Sequence, residues 1–149
     1  MGMLKARVNG KWEPVGFSSV DRRMGGSWRL PSQSMPNNAV GYFSWTAEDE
    51  DTDGFLTPPG DTIVIPPNCG GVYSMQMMWI LGVAPTTQIT YVLVNGNTRI
   101  AAPGSSTGNG QATVIMPLAA GDTVKFGGLH NQGTAQNASA SLYLYRVSA

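Results

Sequence analysis

Charge is the first thing this chain has little of. Lys, Arg, Asp and Glu make up 12% of its 149 residues, about half the usual share. That is not disorder, because a disordered chain is poor in aromatic and β-branched residues. This one carries four Trp, five Tyr and four Phe. The length fits one domain with a real core. Cysteine is nearly absent: Cys69 stands alone, so no disulfide forms within one chain. No basic residue neighbours it, so it reads as a small buried residue or an inert thiol. His130 is the only histidine. A general base needs a nucleophile and an orienting partner, so this one, in the polar stretch "GLHNQG", is expected at the surface. No G-x-S-x-G, phosphate loop or dinucleotide fingerprint occurs. These absences point away from an enzyme, and no cofactor is expected.

Long hydrophobic runs are also missing. "MMWILGVA" is the longest, far short of the ~18 residues that mark a membrane span. The opening "MGMLKARVNG" has no apolar stretch of the signal-peptide kind. The expectation is a protein made in the cytoplasm and not secreted, with no membrane insertion.

What charge there is, is unevenly spread. Residues 1–35 hold six basic residues against two acidic ones, a net of +4; residues 36–149 hold three against seven, a net of −4. A basic arm on an acidic body suggests that the arm docks on something acidic. The basic residues are too few and scattered for nucleic-acid binding. Six of the seven body acids lie between Glu48 and Asp61. Within them, Asp49, Asp51, Asp53 and Gly54 follow the first half of an EF-hand loop. The twelfth position is Gly60 rather than Glu, and no helix flanks the segment. Three readings stay open: a calcium site at Asp49, Asp51 and Asp53, a solvated acidic turn, or a dock for the basic arm. Contiguous acids on a turn are poorly held for the carboxylate pair of a glycosidase.

Helix periodicity is absent and strand signals recur. "LKARV-NG-KWEPV" is two short runs about Asn9-Gly10, and "TYVLV-NGN-TRIAA" repeats the device at Asn95-Gly96. Asn-Gly suits a type I′ turn, where both positions take φ > 0. "AVGYFSW", "DTIVIP", "GVYSMQMMWIL", "GQATVIMPL", "DTVKFGGL" and "SASLYLYRVS" are further strands between Gly-, Pro-, Asn- and Asp-rich turns. That rhythm reads as an all-β sandwich. Residues 16–38 read as an irregular linker, with a boundary near Pro36. In the last strand, Ala140, Leu142 and Leu144 share one face; Ser141, Tyr143, Tyr145 and Val147 share the other. A strand apolar on both sides calls for a core on one and a second chain on the other.

"ATVIMPLAAGDTVKF", residues 112–126, resembles the penultimate strand pair of the tumour necrosis factor and complement one-q globular-head superfamily. There a strand ending in Leu118 runs through the Gly121-Asp122 turn into an alternating strand with Val124 and Phe126. "GGVYSMQMMWIL", with Gly71 and Tyr73, stands where that family has its Gly-x-Tyr strand. "ASASLYLYRVS" is similar to its final strand. Pro117 departs from the pattern, and the strand is expected to end or bulge there. The resemblance covers roughly residues 40–149. It implies a jelly roll that assembles as a tight trimer, with the last strand in the inner sheet and Tyr143 and Tyr145 near the threefold axis. "KARVNGKWEPV" resembles short N-terminal segments of tailed-phage virion proteins.

The combined expectation is an all-β, tumour-necrosis-factor-like jelly-roll sandwich, homotrimeric through Tyr143, Tyr145 and Val147. Residues 1–35 would be an N-terminal β-hairpin arm anchored to a particle by Arg7, Trp12, Phe17, Arg22, Arg23 and Trp28, and residues 36–149 the jelly roll. The function would be that of a non-enzymatic phage virion protein, as a capsid decoration or a tail-fibre-type knob, partnered by itself and by a capsid or tail protein. The alternatives are an adhesin for a host-surface receptor or glycan, and a soluble ligand of the tumour necrosis factor type.

Overall fold

The computed structural model describes residues 24–104 and 108–149 in full, together with two short strands before them. Those are β1 (Lys5–Val8) and β2 (Lys11–Pro14). They pair antiparallel as a separate two-stranded sheet, with Val8 opposite Lys11 and Arg7 opposite Trp12. The N-terminal hairpin is therefore present; Asn9 and Gly10 themselves lie outside the described residues.

Ten further strands build the body. They are β3 (Gly25–Met35), β4 (Gly41–Tyr42), β5 (Ala47–Asp51), β6 (Ile63–Val64), β7 (Gly71–Leu81), β8 (Gln88–Val94), β9 (Asn97–Pro103), β10 (Asn109–Leu118), β11 (Thr123–His130) and β12 (Gln136–Ser148). One sheet has the order β10-β7-β12-β3-β5; the other runs β4-β11-β8-β9, with β6 also on β11. All these pairings are antiparallel. The period-2 alternation read from the sequence puts one face of each sheet inside. Trp28 and Leu30 of β3, Tyr73, Met75, Met77 and Trp79 of β7, and Leu142 and Leu144 of β12 meet Val92, Val124 and Phe126 from the facing sheet, all buried. Phe43, Trp45 and Trp79 form an aromatic chain through this core, with Phe43 5.4 Å from Trp79 and 6.0 Å from Trp45.

Several turns follow their sequence signals. Asn95 and Gly96 have φ of 51° and 76°, as a type I′ turn requires. Gly121 has φ 88°, and the Asp122 carboxylate accepts the Ala119 N–H at 2.7 Å. Pro117 keeps register opposite Val72, and β10 ends one residue later. So the strand ends as expected but does not bulge, because β10 is an edge strand and needs no donor there.

The boundary at Pro36 is wrong. The stretch 25–35 is no linker but β3, hydrogen-bonded to β12 on one side and β5 on the other. Its glycine pair and prolines suggested a loop. Gly26 is in fact where the Trp28 ring packs against the strand, and Pro31 is exposed on the outer face. Trp28 is completely buried in the core, so it cannot serve as a particle anchor. The body begins near Met24.

The strand directions give the body two unlike ends. β3 and β12 meet the chain termini at one end, where the Arg146 N–H donates to Met24 O, Gly25 N–H donates to Thr52 Oγ1 and Asn95 bonds Asp122. The connections 36–40, 82–87 and 131–135, with residues 104 and 108, lie at the other end.

Candidate assembly surface

The outer face of the β10-β7-β12-β3-β5 sheet is the most unusual surface. Pairing sets its rows: Ser139 beside Ile80, Ser141 beside Met78 and Arg29, Tyr143 beside Gln76 and Ser27, Tyr145 beside Ser74 and Gly25. Ile115 continues the Ser74 row on β10. Met78, Ile80, Ile115, Tyr143 and Val147 are all between 46% and 66% exposed. Their neighbours on β7, β10 and β12 are Ser, Thr and Gln. A groove of about 270 Å³ crosses the face, lined by Arg29, Pro31, Met78, Ile80, Ser139 and Ser141 among others. A second hollow sits beside Gln76, Gln111 and Tyr143.

Of the three residues assigned to an interface, Tyr143 and Tyr145 lie in these rows, while Val147 falls at a register shift of β12. Tyr143 and Val147 stand in the open. Tyr145 is half-buried, and its hydroxyl donates to Glu50 Oε2 at 2.9 Å. It ties β12 across β3 to β5.

The acidic segment is not a turn. Residues 47–51 are β5, the edge strand. Asp49 falls at the bulge opposite Ser27 and Trp28 and forms a bidentate ion pair with Arg29, Nε to the two carboxylate oxygens at 2.8 and 2.7 Å. That hydrogen bond, with the attraction of Asp49, raises the already high Arg29 pKa. One of the acids is thus paired within the body, by Arg29 of the neighbouring strand. Asp51 turns the other way. Its Oδ1 accepts from Gly54 N and Phe55 N at 2.8 and 2.9 Å, and its Oδ2 from Leu56 N at 3.0 Å. This carboxylate closes the 51–56 loop. Asp53 accepts from the Thr52 hydroxyl at 2.6 Å. Asp49, Asp51 and Asp53 each have their own partners, and among the described residues no group of three His, Cys, Asp or Glu is placed to hold a metal. An EF-hand match read from sequence assumes one continuous loop; here Asp49 falls at a strand bulge and the Asp51 carboxylate is taken up by the backbone of the following loop.

The arm residues fall differently. Arg7 and Trp12 are a cross-strand pair of the hairpin. Phe17, Arg22 and Arg23 lie outside the described residues.

His130 is a second correction. It is fully buried at the end of β11. Its Nε2 lies 3.1 Å from Met35 O, and its Nδ1 accepts the Gln132 N–H at 3.3 Å. The polar loop begins one residue later, and the strand's alternation carries His130 inward with Phe126 and Gly128. Cys69 is buried, as expected, and its carbonyl accepts the Tyr73 hydroxyl. Burial raises the thiol pKa, and burial pushes Tyr73 up to about 12.

No protein-family model and no curated protein matches the chain. Solved structures do. PRD1 vertex protein P5 superposes with a TM-score of 0.69 at 18% identity, over 83% of this chain and 96% of that one. The globular domain of zebrafish complement 1qA protein gives 0.60 at 9% identity, over 83% and 97%. Murine APRIL gives 0.59 at 13%, over 81% and 98%. The chain shares the jelly-roll fold of these solved structures, the fold expected from the residues around Gly121-Asp122.

Proposed function

We propose that this chain is a non-enzymatic structural protein of a phage particle, a homotrimeric spike- or knob-like jelly roll held to the particle by residues 1–23. The observation that carries the assembly is the exposed apolar face built by Met78, Ile80, Ile115, Tyr143 and Val147. Several large apolar side chains exposed on one sheet face favour burial against another chain. The likeness in fold to a phage vertex protein supports the setting. The hairpin supports the anchor, since an isolated two-stranded hairpin is marginal in water and gains by docking. A non-catalytic role agrees with a histidine whose two ring nitrogens are both engaged in a sealed site.

Light scattering tests the assembly. The expected mass is three chains, and Tyr143→Asp with Val147→Asp should reduce it to one, because each carboxylate would be buried without a partner. A wild-type monomer at micromolar concentration rejects the trimer. A double variant that stays trimeric rejects this face. Removal of residues 1–23 tests the anchor: the shortened chain should fold, trimerise and fail to enter particles. Full incorporation of the shortened chain rejects the anchoring role.

A further inference from the structure

Asn95 and Gly96 join β8 to β9, and both are exposed. The Asn95 side chain is nonetheless held. Its Nδ2 donates to Asp122 Oδ1 at 2.8 Å; its Oδ1 accepts the Thr123 N–H at 2.9 Å and the Thr123 hydroxyl at 3.3 Å. Its backbone N–H donates to Thr123 O at 2.9 Å. The second oxygen of Asp122 accepts the Ala119 N–H, while Gly121 N–H donates to Ile65 O and Ile65 N–H to Asp122 O. The turns at 95–96 and 119–122 and the chain leaving β6 thus meet around one carboxamide and one carboxylate.

An Asn-Gly pair carries its own chemistry, because glycine has no side chain to shield its backbone nitrogen. That nitrogen gives up its proton and bonds to the Asn Cγ. The Cγ–Nδ2 bond breaks, ammonia leaves, and a succinimide ring closes. Water then opens the ring at either carbonyl, leaving Asp or isoaspartate. In sum, an amide and water become a carboxylate and ammonium, with no oxidant or cofactor. The sequence has such pairs at Asn9, Asn95 and Asn109. Gly110 is buried against the Trp79 ring within the β10–β7 ladder. A side chain on Gly96 would meet nothing within 4 Å. Of the two pairs among the described residues, the one at Asn95 is open to the reaction.

We propose that Asn95 is a site of spontaneous deamidation, restrained by Asp122 and Thr123, and that its product turns the restraint into a repulsion. Ring closure requires the Asn95 carboxamide to swing onto Gly96 N, so its bonds to Asp122 and Thr123 open first. The rate then follows the population of that local opening. After conversion, residue 95 presents a carboxylate to the Asp122 carboxylate in place of the amide donor. Like charges sharing a site disfavour each other. The change does not reverse, so the corner joining β8, β9 and β11 loosens as the protein ages.

The test incubates the full-length chain in mildly alkaline buffer, folded and in denaturant, and follows each Asn by peptide mapping and mass spectrometry. Asn95 should convert in both, at least about tenfold more slowly in the folded chain, as the loss of a charge-assisted hydrogen bond on opening implies. Asp122→Ala should move the folded rate several-fold toward the denatured one. Asn95→Asp, which makes the product directly, should melt below the unaltered chain. Adding Asp122→Asn to it should restore the melting temperature, because an amide at 122 donates to the new carboxylate and still accepts the Ala119 N–H. Equal folded and denatured rates overturn the proposal, as does a folded chain whose Asn95 stays intact. So does an Asp122→Ala chain that converts no faster, or a double variant that melts no higher than Asn95→Asp alone. The melting comparison does not depend on how well Asp122→Ala folds.

Discussion

At the scale of single residues, carboxylates and one imidazole serve the backbone. Asp51 accepts several consecutive N–H groups of the 51–56 loop. Hydrogen bonds to charged groups contribute more than neutral ones, so Asp51→Ala should destabilise the fold by about 2–3 kcal/mol, read as a lower denaturant midpoint at unchanged slope. The same change at Asp49, in an exposed ion pair with Arg29, should have little effect. His130→Ala leaves Met35 O and Gln132 N–H without their partner and should cost about 2 kcal/mol. Acid dependence has a defined sign. The Thr62 hydroxyl, aided by Lys125, holds Asp61 below the usual carboxylate range, and the Asn95 amide with the Ala119 N–H does the same for Asp122. Folding therefore favours both ionised forms. That contribution is complete above the unfolded value near pH 4 and disappears as pH falls through the lower folded values. Thermal melts should show it as a loss confined to pH below about 4, and Asn95→Ala should shrink that loss.

At the scale of elements, the legible parts were those set by alternation and by turn chemistry. β12 reads correctly because Ala140, Leu142 and Leu144 alternate with Ser141 and Tyr143, and the Asn95-Gly96 and Gly121-Asp122 turns demand their residues. β3 was missed because two requirements share it. Gly26 makes room for the Trp28 ring, and Pro31 occupies an outward position, so the residues that permit the strand are those that usually end one. The aromatic side of β12 was legible as its outer face, yet the hydrogen bond from Tyr145 to Glu50 was not, because it depends on β5 lying two strands away. β5 itself shows why an edge is charged: its acids keep another strand from pairing with it. Glu48→Thr with Asp49→Thr should produce larger assemblies than the unaltered chain forms, detected by light scattering as a mass that climbs with concentration. A mass that stays constant would remove that role from the acids.

At the scale of the whole molecule, fold and partner separate. The jelly roll is fixed by the packing of its two inner faces, and that information is spread along the body. The outer face of the β10-β7-β12 side carries, by contrast, exposed apolar side chains such as Met78, Ile80 and Tyr143. One more whole-body expectation follows from the core. Gly110 lies flat against the Trp79 indole, whose N–H donates to Thr90 at 2.8 Å. Gly110→Ala should force that ring from its place and cost about 1–3 kcal/mol, with the loss visible in tryptophan fluorescence.

The position of β3 has a mechanical meaning. The arm enters the body directly through β3, which lies between β12 and β5 and pairs with β12 along nearly its whole length. A pull applied to the chain ahead of β3 runs along the direction of these strands. The load then falls on many ladder hydrogen bonds in parallel, in shear, where an edge strand peeled sideways would lose them one at a time. Resistance to pulling is a matter of unfolding rate, and a load entering through β3 meets that ladder along nearly its whole length.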